Sequence, residues 1–173
     1  MKIKPNFPEA DNNLAFTLLR RGAVDEAIEY FRTASELQSD YQTFYNLGCA
    51  YRMEKKAFEA ETNWQKAIEL QPHFIPAQLD LSWMLATWPD AAARNGSRAL
   101  ALMKNLDREM PNDPKILRAL AAAYAETGDF SEAVITAKRA LAMVQTQAPR
   151  LAGELEAETA LYQSNSPCRS FSN

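Results

Sequence analysis

Glycine is scarce in this chain, at five residues in 173, and histidine occurs once. Runs of valine, isoleucine and threonine are lacking while alanine is abundant, so intrinsic preference leans to helix and no sheet is expected. The two cysteines, Cys49 inside a helical pattern and Cys168 in a polar tail, lack the spacing of a disulfide framework or zinc site. They read as reduced thiols of a cytoplasmic protein. No window approaches the apolar length of a membrane span, and the opening MKIKPNFPEADNN has no apolar stretch that could act as a signal peptide. Like-charged blocks are also missing. The 19 basic and 22 acidic residues are interspersed, with a net charge of −3, which argues against nucleic acid as a partner.

The absences extend to catalysis. There is no Gly-rich phosphate loop, no HExxH, no G-x-S-x-G and no CxxC. His73 lies between Pro72 and Phe74 in a predicted corner and has no second histidine with which to share a metal. Cys49 has no histidine nearby in sequence and reads as a small packing residue rather than a nucleophile. Glu154, Glu156 and Glu158 occupy alternate positions and read as a solvated helix face, not a cation site. The chain is expected to be no enzyme, with no cofactor and no metal.

What is present is a hydrophobic content of 47%, enough for a core, and an internal repeat. Three stretches align, starting at Glu9, Gln42 and Lys115. Leu14, Leu47 and Leu120 coincide, as do the small residues Ala15, Gly48 and Ala121. Further on, Ala27, Ala60 and Ala133 coincide, then Phe31, Trp64 and Ala137, then Ala34, Ala67 and Ala140. From the first copy to the second the offset is 33 residues throughout. Small residues at fixed separations suit two antiparallel helices that cross closely, with large residues filling the gaps beside them and Pro72 stopping the second helix. A fourth copy occupies 76–111, with Leu81, Ser82 and Leu85 in its first helix and Ala99, Met103 and Leu106 in its second. Between Leu85 and Ala99 it takes 14 steps where the second copy takes nine from Tyr51 to Ala60, a five-residue insertion at one corner. Within it, Pro89 is expected to end a helix, Asp90 to cap a short turn through Arg94, and Asn95-Gly96 to reverse the chain before Ser97 caps the next helix. Trp88 reads as a clip over this corner or as a rim contact.

The second copy, with Phe44, Leu47, Gly48, Tyr51, Ala60, Trp64 and Pro72, resembles the tetratricopeptide repeat family residue by residue. The resemblance covers nearly all of the chain. It implies an all-α solenoid of about four helix pairs in a right-handed superhelix, near 8–40, 41–74, 75–113 and 114–147. A capping helix at 149–163 would close the domain at 163, leaving 164–173 as a flexible polar tail. In that helix Leu151, Leu155, Thr159 and Tyr162 share one stripe. The opening KIKPNFPEA reads like the close of a repeat, so the chain is expected to be the C-terminal part of a longer bacterial repeat protein or a short relative of one. The pieces LATWPD…RNG, LAAAYAETGDFSEAV and LYQSNSPCR are similar to C-terminal segments of bacterial multidomain repeat proteins, which follow longer arrays or catalytic domains.

The resemblance also implies a concave groove lined by the first helix of each pair. The lining comprises Asn12, Asn13, Phe16 and Arg20; Tyr45, Asn46, Cys49, Arg52 and Met53; Leu79, Asp80 and Trp83; and Lys115, Arg118 and Ala122. Phe16, Tyr45, Met53 and Trp83 are the expected apolar anchors, with amides and arginines beside them to hold a peptide backbone or carboxylate. One branch of the family clamps the terminal carboxylate of chaperones with lysines, an arginine and asparagines. Asn46 fits one such asparagine, but Asp80, or Ala119 in the other register, stands in the arginine's place, so that clamp is excluded. The expected function is a non-catalytic interaction module holding a protein or peptide segment, with no nucleic acid or membrane. The alternatives are self-association through the uncapped N-terminal repeat, or an accessory domain of a larger protein.

Overall fold

A computed structural model describes residues 8–144 and 148–169 of the chain. They form nine α-helices and, among the described residues, no strand. The helices are α1 (Pro8–Arg20), α2 (Val24–Leu37), α3 (Tyr41–Met53), α4 (Ala57–Leu70), α5 (Ile75–Thr87), α6 (Gly96–Glu109), α7 (Pro114–Glu126), α8 (Phe130–Val144) and α9 (Pro149–Gln163). One turn of 3-10 helix, Ala91–Ala93, lies between α5 and α6. The chain divides into two compact units, Met1–Ala77 and Gln78–Asn173. The reading of KIKPNFPEA as the close of a repeat rests on residues 2–7, which lie outside the described residues, while Pro8, Glu9 and Ala10 open α1.

Side-chain caps fix the starts of α3 and α7. Asp40 accepts a hydrogen bond from Thr43 N–H (3.2 Å) at the start of α3, and Asp113 accepts from Lys115 and Ile116 N–H (2.8 and 3.2 Å) ahead of Pro114 in α7. The corners inside the pairs share one closure. Ala23 N–H donates to Leu18 O (3.0 Å), Lys56 N–H to Tyr51 O (2.9 Å) and Asp129 N–H to Tyr124 O (2.9 Å). Each bond returns across five residues to a carbonyl that the finished helix leaves open. The residue before each donor stands at positive φ: Gly22 at 80°, Lys55 at 58° and Gly128 at 85°.

The third pair keeps the closure and loops the insertion out. Asn95 N–H donates to Leu85 O (2.9 Å), and Leu85 stands where Tyr51 stands in the second pair. The bond spans ten residues instead of five, which accounts for all five inserted residues. Asp90 caps the 3-10 turn, accepting from Ala92 N–H (3.0 Å), and Trp88 is buried as a clip. The start of α6 differs from expectation. Asn95, not Ser97, is the cap, accepting from Arg98 N–H (3.0 Å), and Gly96 is the helix's first residue. A Cβ on Gly96 would lie 2.8 Å from Glu126 Cγ, so this end of α6 sits directly against the end of α7.

In the first unit, Ala15, Ala27, Ile28, Phe31, Leu47 and Ala50 form one buried cluster. The crossing of α3 and α4 shows why the repeat alternates small and large. A Cβ on Gly48 would fall 2.5 Å from Trp64 Cδ1, and Trp64 is fully buried with its indole N–H donating to Tyr45 O (3.2 Å). In the second unit the matching small residue Ser82 is buried and donates to Ala99 O (3.3 Å). Ala121, Ala125, Ala133 and Ala137 leave space that Tyr162 of α9 and Cys168 fill, and Leu155 and Ala152 seal Leu117, Ala140 and Val144.

Two expectations about the C-terminal part are corrected. Residues 164–169 are not a loose tail: Cys168 is buried among the alanines, and Arg169 pairs with Glu126 (2.8 Å). Residues 170–173 lie outside the described residues. Nor do the α9 glutamates form a solvated face. Glu156 is exposed, but Glu158 is buried and Glu154 half-buried. These two are four apart and therefore share a face, which a reading of all three as alternate positions obscured.

Candidate functional site

The expected lining residues of the first unit lie on α1 and α3. Asn13, Phe16 and Arg20 are exposed and Asn12 is half-buried. On α3, Tyr45, Asn46, Cys49 and Arg52 are half-buried and Met53 is exposed. Asn12 and Asn13 border a cleft of about 330 Å³, together with Glu9 of α1, Gln38 and Asp40 of the α2–α3 connection, and Gln42 of α3. Thr43 closes one side, its hydroxyl donating to Asn12 Oδ1 (3.3 Å). The cleft is polar, built from amides that can both donate to and accept from a peptide backbone. Gln42 was legible in principle, since it lies three residues before Tyr45 on the same helix. Tyr45 is committed to an aromatic cluster: its ring meets Phe74 edge-on at 5.1 Å, and Tyr41 meets Phe74 at 4.9 Å.

In the second unit, Leu79, Asp80 and Trp83 are half-buried on α5, and Lys115 is exposed on α7. Ala122, at 2% exposure, is a core residue instead of a lining one. Trp83 and Arg118 come together, with the guanidinium 4.4 Å from the ring centroid. Arg118 is also held from α9. Its Nε donates to both Glu158 carboxylate oxygens at 3.0 Å, its Nη2 to Glu158 Oε1 at 2.6 Å, and its Nη1 pairs with Glu154 Oε2 at 2.6 Å. Burial pushes the Glu158 carboxyl above the usual range against the pull of Arg118. For Arg118, burial works downward, but the hydrogen bond and charge of Glu158, with Glu154 behind it, outweigh it and hold the guanidinium above its ordinary value. The cation that sequence reasoning assigned to a partner's carboxylate is thus engaged by two carboxylates of its own chain.

A second ionic centre was not anticipated. Glu126 pairs with Arg94 of the inserted corner (2.8 Å) and with Arg169 (2.8 Å). Arg94 also donates to the carbonyls of Trp88 and Pro89, both at 2.8 Å, which pins the corner to the end of α7. His73 is exposed in the turn after α4. Among the described residues no group of three or more His, Cys, Asp or Glu is placed to hold a metal ion, and no helix is long and apolar enough to cross a membrane.

Paired helices with small residues at their crossings and first helices carrying open polar and apolar side chains define an all-α repeat scaffold, of the kind that contacts other proteins. The chain belongs to the tetratricopeptide repeat family: models of that repeat match residues 10–41 and 90–157, together more than half of its length. Among solved structures it is similar to MamA, with a TM-score of 0.72 and 24% identity over 86% of this chain and 84% of that one. The 41-end portion of MamA from Desulfovibrio magneticus RS-1 gives 0.71 and 17%, over 91% and 88%. A thermophilic TPR protein in Thermus thermophilus gives 0.65 and 21%, over 91% and 88%. At these identities the likeness shows the fold. No curated protein is matched by the sequence. Proteins of this family are typically non-catalytic scaffolds, and family and fold together support a protein–protein interaction role.

Proposed function

We propose that the chain is a non-catalytic scaffold that holds an extended peptide segment along α1 and α3 of its first unit. The observation that carries this reading is the amide-lined cleft at Asn12, Asn13 and Gln42, with Phe16 at 47% and Met53 at 50% exposure on the same two helices. Amides hold a backbone without selecting sequence, and preformed helices present the apolar anchors at little entropic cost. The second unit contributes less, because Arg118 and Trp83 are engaged with each other and with α9. Random peptides displayed on phage and selected on the immobilised full chain should yield binders. Their affinity should fall several-fold to about tenfold on Asn13→Ala or Phe16→Ala, equivalent to about 1.4 kcal/mol at the upper end. Lys115→Ala, on an exposed position of the second unit, should leave it unchanged. A selection that yields no binder, or binders indifferent to both first-unit substitutions, sinks the reading.

A second reading, self-association through α1, is favoured by one observation. Leu14 is 44% exposed, whereas Leu47 and Leu120, at the same repeat position, are 4% and 3% exposed.

A further inference from the structure

Asn95-Gly96 is the only Asn-Gly pair in the chain, and two unrelated packing demands keep it there. Asn95 is exposed and caps α6, its Oδ1 accepting from Arg98 N–H (3.0 Å). Gly96 is required by space, since a Cβ would lie 2.8 Å from Glu126 Cγ and 3.1 Å from Thr127 Cγ2. An asparagine followed by a residue with no side chain is chemically labile, because the next main-chain nitrogen reaches the side-chain amide carbon unhindered. In that reaction the Gly96 nitrogen bonds to Asn95 Cγ, the Cγ–Nδ2 bond breaks, and ammonia leaves with the Gly96 amide proton, giving a cyclic imide. Water then opens one of the two ring C–N bonds. Opening at Cγ leaves aspartate, and opening at the main-chain carbonyl leaves isoaspartate, whose backbone runs through Cγ. Nothing is oxidised or reduced, and water is the sole co-reactant.

The folded corner withholds this reaction. Cyclisation brings Gly96 N beneath Asn95 Cγ to a near-attack distance of roughly 3–3.5 Å, which requires the peptide group between the two residues to rotate. That peptide group is held. Asn95 O accepts from Ala99 N–H (3.0 Å) in the first turn of α6, and Asn95 N–H donates to Leu85 O (2.9 Å) across the corner. The side-chain amide that must be attacked is itself fixed by Arg98 N–H. Arg94 steadies the same segment, donating to Trp88 O and Pro89 O and pairing with Glu126, all at 2.8 Å. Gly96 N–H, in the first turn, has no intrahelical acceptor, so the helix holds the geometry and not the nucleophile.

We infer that Asn95 is a self-modification site gated by this corner, silent while the first turn of α6 is formed and converted to aspartate or isoaspartate when it opens. The two products differ in consequence. Aspartate is an equally good cap. Isoaspartate lengthens the main chain by a methylene, so the bonds to Arg98 N–H and Ala99 N–H cannot both be made and the corner does not reclose. The full chain, incubated at mildly alkaline pH and mapped by mass spectrometry of its peptides, tests this. At equal pH and temperature, modification of Asn95 should be at least roughly tenfold faster in urea above the unfolding midpoint than in the folded chain. Arg94→Ala, shown to be folded by circular dichroism, should speed the folded reaction several-fold. Asn95→Ser, which keeps a cap, should abolish the signal. The isoaspartyl fraction, isolated by ion exchange, should melt below the unmodified chain, whereas Asn95→Asp should melt with the unmodified chain. Equal rates folded and unfolded, or a folded Arg94→Ala chain that reacts no faster than wild type, would overturn the gating. Absence of modification in urea would overturn the site, and an isoaspartyl chain that melts like the wild type would overturn the lasting opening.

Discussion

Lys55 holds a backbone conformation that the same corner elsewhere gives to glycine. Its φ of 58° lies in the left-handed region, as do Gly22 at 80° and Gly128 at 85°. A Cβ at Gly22 or Gly128 would meet nothing within 4 Å, so the glycines are there for the dihedral and not for space. A side chain in this region costs roughly 1–2 kcal/mol, part of which glycine gives back through the greater freedom of its unfolded chain. Lys55→Gly is therefore expected to stabilise the protein by roughly 0.5–1 kcal/mol, and Gly128→Ala to destabilise it by roughly 1 kcal/mol, both read from urea midpoints. Equal and negligible shifts would mean that the corner relaxes around either residue. Gly48 answers to a different cause, since its neighbour Trp64 leaves no room for a Cβ.

At the level of elements, α9 and the six residues after it close the second unit, and a buried thiol gives that closure a pH signature. Cys168 is 7% exposed, and burial pushes its thiol from 9.0 up to about 11, with the charge of Glu158 adding to the effect. The folded state keeps the proton where the unfolded chain releases it. The stability this group contributes is thus complete below pH 9.0 and lost as pH rises to about 11, roughly 2–3 kcal/mol in all. Tyr162, also pushed up by burial, acts in the same direction from pH 10.0 upward. Between about pH 8 and about pH 10.5 the urea midpoint of the wild type should fall more steeply than that of Cys168→Ala, whose own cavity cost does not depend on pH. Parallel curves would show that the thiol ionises freely in the folded protein. Helix content, the corners and the inward stripe of α9 were legible in the sequence because periodicity and small-residue spacing are properties of neighbouring turns. Glu154 and Glu158 on Arg118, and Arg94 and Arg169 on Glu126, were not, because an ion pair depends on which distant helix ends meet. The candidate lining shows the same division. Its helices were legible, but whether Arg118 faced a partner or its own chain depended on α9.

For the whole molecule, the exposed face of α1 governs whether chains associate. In the second pair, the face bearing Thr43, Leu47 and Ala50 is buried at 4%, 4% and 0% exposure, and in the fourth pair Ile116, Leu120 and Ala123 are buried at 1%, 3% and 0%. The corresponding face of α1 carries Ala10, Leu14 and Thr17, all exposed. A repeat face of this design is complementary to another helix, and two copies of it can meet about a twofold axis. The apolar surface on offer is small, centred on one leucine, whose full burial is worth roughly 1.5–3 kcal/mol, so a tight dimer is not expected. Sedimentation velocity should show a coefficient that rises with concentration through the high micromolar range, and Leu14→Glu should hold the chain as a monomer throughout. Because Leu14 is already 44% exposed, that substitution should move the melting temperature little, which separates lost association from lost folding. A wild-type chain that sediments as a single monomer at millimolar concentration would rule the association out.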